Sequence, residues 1–106
     1  MLEIDDEKTW GEKVLLDLGV VIVDFWAEWC GPCRMYSPIF ESLEKDFKGK
    51  KVTFVKVNTD RANALASTYQ IFSIPTTLLF KNGKMSDQLT GVRSKEELAS
   101  LINRRL

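Results

Sequence analysis

The sequence predicts an α/β fold: a central mixed sheet with helices on both faces. Strand-like runs (Val20 to Phe25, Val52 to Asn58 and Thr76 to Phe80) alternate with helix-like patterns, as in a sheet covered by helices. An Asn82-Gly83 pair after the third run signals a tight hairpin and hence an antiparallel end to the sheet. The chain of 106 residues fits one domain, residues 1–106, with a modest core.

Ile4 to Leu18 reads as a short strand followed by a helix capped by Asp6 or Thr9 and closed by Gly19. Val20 to Phe25 is β-branched and apolar on both faces, the pattern of a buried central strand. A loop from Trp26 to Gly31 leads into a helix over Pro32 to Phe47, with Ile39, Phe40, Leu43 and Phe47 as its apolar stripe. Pro38 lies inside that helix and is expected to kink it. Val52 to Asn58 forms the next strand, and Ala62 to Tyr69 a short helix. Thr76 to Phe80 and about Lys84 to Leu89 form the hairpin. Lys95 to Leu106 is a terminal helix with Ser94 and Glu97 as its capping box.

Composition narrows the function classes. Acidic and basic residues number 15 each, and the basic positions are scattered, so no stripe for nucleic acid exists. Val20-Val21-Ile22-Val23 is too short to span a bilayer, so no membrane association is expected. The first seven residues are acidic where a secretory leader is basic, which gives the expectation of a cytosolic protein.

The two cysteines stand in Trp29-Cys30-Gly31-Pro32-Cys33, between a buried strand and a helix. A disulfide across so short a loop removes little unfolded-chain entropy, so chemistry explains the pair better than stapling does. Cys30 is expected at the solvent-facing mouth of the helix, where backbone N–H groups stabilise a thiolate. Cys33, in the first turn, is expected to be the more buried. Gly31 permits close approach of another chain, and Pro32 suits the first helical position. Cys30 would then attack a partner disulfide, and Cys33 would resolve the mixed disulfide. A zinc site is a competing reading of Cys-x-x-Cys, but the chain has no histidine and no second pair. Arg34 in place of histidine removes the haem-attachment pattern. Two inert core cysteines are a further alternative, opposed by the Trp, Gly and Pro around them.

Asp24 ends the apolar run. It is either a buried carboxyl near the helix start, able to take the Cys33 proton, or a solvated strand-end residue; the residues alone divide these evenly. Lys56, on the neighbouring strand, is either its partner or a solvated lysine. For Pro75, the residues alone favour an ordinary trans turn proline. Phe25 and Trp26 read as core packing.

Val23-Asp24-Phe25-Trp26-Ala27, Trp29-Cys30-Gly31-Pro32-Cys33, Ile74-Pro75-Thr76, Phe80-Lys81-Asn82-Gly83 and Gly91 together strongly resemble the thioredoxin family across nearly the full length. The resemblance implies that family's fold and general protein-disulfide reductase activity. It implies Cys30 as attacking thiol, Cys33 as resolving thiol, Asp24 as the buried aspartate and Lys56 as its neighbour. It makes Pro75 cis, which reverses the preference from the residues alone. Ile74 then offers backbone hydrogen bonds to a client. Trp29, Gly31, Pro32, Ile74, Gly91 and Val92 form the docking rim, Asp60 supports Trp29, and Pro38 kinks the helix. No bound cofactor and no metal are implied beyond the redox-active Cys30–Cys33 disulfide. The implied partners are a flavin-containing or ferredoxin-dependent thioredoxin reductase and disulfide-containing clients of a monomer. Family clients include ribonucleotide reductase, peroxiredoxins and methionine sulfoxide reductases. A more oxidising, isomerase-like exchange enzyme and a non-catalytic binding subunit are the alternatives. Departures from common family members are Arg34, Tyr36, Ser37 and the bulky Ile71-Phe72-Ser73 approach to the proline; they bear on partner preference.

Overall fold

The computed structural model describes residues Met1–Leu106. Five strands form one mixed sheet: β1 (Leu2–Glu3), β2 (Val20–Trp26), β3 (Val52–Asn58), β4 (Thr76–Lys81) and β5 (Lys84–Thr90). Their spatial order is β1-β3-β2-β4-β5; β1, β3 and β2 run parallel, and β4 and β5 antiparallel. The helices are α1 (Glu7–Trp10), α2 (Gly31–Asp46), α3 (Asn63–Thr68) and α4 (Lys95–Arg105).

Alternation along β2 sorts the core into two layers. Val21, Val23 and Phe25 pack with Trp10, Val14 and Leu65 on one face. Val20 and Ile22 pack with Phe40, Leu43, Leu98 and Ile102 on the other. Helices α1 and α3 therefore cover one side, and α2 and α4 the other. Each large apolar side chain fully removed from water contributes about 1.5–3 kcal/mol, so the two layers fix where α2 begins.

Several expectations shift at the element ends. The first strand precedes Ile4 rather than including it. Asp6 is the cap of α1, accepting from the Thr9 N–H at 2.7 Å. Beyond Trp10 the helix widens into a π-helical turn over Gly11–Leu15 and stops short of Gly19. Trp26 belongs to β2, because its ladder with Asn58 extends that far. Ser94 accepts from the Glu97 N–H at 3.1 Å, but the Glu97 carboxylate pairs with Arg93 at 2.8 Å, so the expected capping box is half formed. Asn82 and Gly83 both have positive φ, 52° and 75°, as a type I′ turn requires.

Candidate active site

Helix α2 starts against the C-terminal end of β2, and Cys30 is its N-cap. The chain reaches that cap through Ala27, which is buried with the two cysteines. Pro32 occupies the first turn, where its missing N–H has no helical partner to lose. Cys30 and Cys33 form a disulfide with Cα atoms 5.3 Å apart. The Cys33 N–H donates to Cys30 Sγ at 3.2 Å. The first turn thus already places a backbone donor on the sulfur that would carry negative charge.

The expected contrast in cysteine exposure is not found. Cys30 is 4% exposed and Cys33 3%. In the disulfide form, Cys30 Sγ lies 3.8 Å from the Ile74 carbonyl and is covered by the proline loop. That loop carries a cis Ile74–Pro75 bond, so the trans proline favoured by the residues alone is corrected. The Gly91 N–H, at φ +92°, donates to the Pro75 carbonyl at 2.8 Å and ties the two loops together.

Around the disulfide, Trp29 is 68% exposed, and its indole N–H donates to Asp60 at 3.0 Å. Gly31, Pro32 and Val92 are also exposed. Phe72 stands almost fully in solvent. The Arg34 guanidinium is held by the Glu28 carbonyl, at 3.1 and 2.8 Å, and so is turned back over the preceding loop.

Beneath α2 lies a polar row. Asp24 pairs in register with Lys56 of β3 on one side and with Thr77 of β4 on the other. By strand alternation it shares the α2-facing side with Val20 and Ile22. Asp24 is 0% exposed, so it is not a solvated strand-end residue. Burial pushes its carboxyl up to about 7, with Lys56 pulling the other way. Lys56 makes no direct ion pair with it. Its ammonium sits 4.3 Å over the Trp26 ring and donates to the Ser37 hydroxyl at 3.4 Å. Tyr36 and Thr77 share a buried hydroxyl–hydroxyl bond of 2.7 Å.

The structure thus brings Cys30, Cys33, Ile74 and Pro75 together at one end of the sheet, with Trp29 and Asp60 beside them and Asp24 and Lys56 below. Thr77 was not singled out from sequence. Its signal was a polar side chain in phase with apolar Leu79 on a central strand. No cluster of three or more histidine, cysteine or acidic side chains is placed to hold a metal ion, and no helix is long and apolar enough to cross a membrane.

Residues 2–104 match the thioredoxin family model. A chloroplastic M-type thioredoxin of Zea mays is 46% identical over 101 residues, covering 95% of this chain and 60% of that protein. A thioredoxin of Rickettsia bellii is 46% identical over 97 residues, covering 92% of this chain and 91% of that protein. Among solved structures, a mutant thioredoxin from Halobacterium salinarum superposes with a TM-score of 0.87 at 32% identity, covering 98% of this chain and 88% of that one. The chain spans about 60% of the length of the plant relatives it matches. Those relatives overturn the cytosolic expectation, because they are chloroplastic proteins. The acidic first residues carried that expectation, and in a chain that matches only part of its relatives they say nothing about a leader. With the sheet order, the Cys30–Cys33 disulfide at the head of α2 and these matches in place, the chain belongs to the thioredoxin family.

Proposed function

We propose that this protein reduces disulfides in other proteins by dithiol–disulfide exchange through Cys30 and Cys33. The observation that carries the reading is the disulfide itself, with Cys30 as N-cap of α2 and its sulfur beside the Ile74 carbonyl. The disulfide-bonded form corresponds to the end of the reaction, after a client has left.

In the forward direction the Cys30 thiolate attacks one sulfur of the client disulfide. A Cys30–client bond forms, the client bond breaks, and the leaving client sulfur takes a proton. Helix N-termini favour the thiolate form, an effect for which thioredoxins are a standard illustration. Cys33 then passes its proton to Asp24 and attacks Cys30. The Cys30–client bond breaks, the second client sulfur takes up a proton in turn, and the client leaves as a dithiol, two electrons reduced, with the Cys30–Cys33 bond restored. Asp24 suits this role because a carboxyl poised near neutrality can both accept and release a proton. Lys56 supplies the nearby positive charge that partly offsets its burial.

Client docking is assigned to the rim of Trp29, Gly31, Pro32, Ile74, Pro75, Gly91 and Val92. Ile74 offers main-chain hydrogen bonds, and Asp60 holds the Trp29 ring in place. The electron supply in this reading is a thioredoxin reductase, and residues 1–106 act as one domain.

The test is DTT-driven insulin reduction by wild type, Cys30→Ser and Cys33→Ser. Wild type is expected to turn over, and both variants to fall to background. Cys33→Ser alone should accumulate a mixed disulfide, visible by mass. A folded but inactive wild type would sink the reading.

A further inference from the structure

Both Asp24 oxygens are buried without a hydrogen-bond partner. Buried polar groups are nearly always partnered, so this exception asks for a cause. A hydroxyl stands beside it: Thr77 is its register partner across the antiparallel ladder. Thr77 Oγ1 is instead engaged by the Tyr36 hydroxyl at 2.7 Å. Tyr36 comes from the α2 turn that follows Cys33, is fully buried, and packs against Phe40 with ring centroids 5.9 Å apart. The packed ring fixes where its hydroxyl sits. Thr77, by contrast, can redirect its hydroxyl by a single rotamer change.

We propose that Tyr36 is a positioning residue that holds the Thr77 hydroxyl off Asp24, so that the carboxylate is left bare and is a stronger proton acceptor for Cys33. This rests on the reading of Asp24 as the base. A hydrogen bond given to a carboxylate favours its charged form, so withholding one favours the protonated form. Tyr36 can do this without adding charge, because burial pushes its phenol up to about 12. The charged group acting on Asp24 is Lys56 from β3; Arg93 and Glu97, at the head of α4, act on Tyr36. Tyr36 and Ser37 are neighbours on α2. One engages Thr77 and the other Lys56, the two ladder neighbours of Asp24.

The experiment follows the Asp24 carboxyl by carbon-detected NMR titration of the oxidised protein. Tyr36→Phe frees Thr77 to donate to Asp24, and the midpoint should fall by about one unit, a roughly tenfold loss of proton affinity. In Tyr36→Phe/Thr77→Val neither hydroxyl remains, and the midpoint should return close to wild type. Thr77→Ser loosens the same hydroxyl while keeping Tyr36, and should also lower the midpoint; it decides the matter if Tyr36→Phe does not fold. An unchanged midpoint in the folded single variants, or a double variant displaced as far as Tyr36→Phe, overturns the proposal. A merely structural role would lower the melting temperature without the recovery in the double variant. Single-turnover resolution of a Cys30 mixed disulfide in Asp24→Asn separates the two readings. Undiminished resolution removes Asp24 as base, whatever Tyr36 does to its proton. Slowed resolution with no Tyr36 effect removes only the positioning role.

Discussion

Replacing Asp24 with Asn should stabilise the oxidised protein at about pH 8 and change it far less at about pH 4. Burial moves this carboxyl from 3.8 to about 7 in the folded state. Between those values the folded chain keeps a proton that the unfolded chain has released. Stability is therefore fully present below the unfolded value and falls as pH rises to the folded one. A displacement of this size corresponds to about 4 kcal/mol. That is a large part of the roughly 5–15 kcal/mol that holds a domain together. Denaturant unfolding of oxidised wild type and Asp24→Asn, across that range, isolates the effect, since every other titration cancels in the difference. The gap between the two proteins should widen by about 2–4 kcal/mol from the acid to the alkaline end. A gap that stays constant with pH would mean the carboxyl is solvated and titrates normally, and would refute the reasoning.

Lys56→Met should raise the Asp24 midpoint further, because Lys56 is the one charge found to work against burial there; the same NMR titration reads it. Arg105→Met should lower stability slightly at neutral pH in urea unfolding. Burial tends to raise the Asp87 carboxyl, but hydrogen bonds from Arg105, at 3.1 and 3.2 Å, and from Ser86 outweigh it and hold it below the ordinary value. That stabilisation is present above the unfolded value and is lost as pH falls through the folded one, so wild type and variant should converge in acid.

The apolar periodicities place β2, β3, β4, α2 and α4 to within a residue or two, because each has a buried face that only one register satisfies; β5, which has no buried residue, is placed by the Asn82-Gly83 turn. The ends were less legible. The Glu97 carboxylate had two bonding choices of similar local geometry, and Arg93, four residues before it, won it from the helix cap. The π-helical turn after Trp10 has no periodic signature, since five residues are too few to show a period. At the site, the cysteine pair announced its own chemistry. Asp24 did not, because whether a strand-end carboxyl is buried depends on α2 lying across it, a long-range fact. The burial of Cys30 was missed for the same reason: the Ile74–Pro75 loop that covers it arrives from 44 residues away in sequence.

The site divides into two layers under different physical constraints. Trp29, Phe72 and Val92 are exposed side chains on loops, and exchanging them disturbs no buried hydrogen bond. Asp24, Thr77 and Tyr36 lie in the α2-facing core, where each polar atom is held or left bare by a specific neighbour. On the reading proposed above, a change there would alter how readily a proton moves. On the proposed reading, partner choice belongs to the exposed rim and proton transfer to the buried row. Arg34 belongs to the upper layer, since its guanidinium is committed to the Glu28 carbonyl at the surface. Tyr36, two residues on, belongs to the lower. Helical geometry alone makes the division, because residues two apart on a helix face away from each other. Arg34 and Tyr36 therefore have different surroundings even though they are nearly adjacent in sequence.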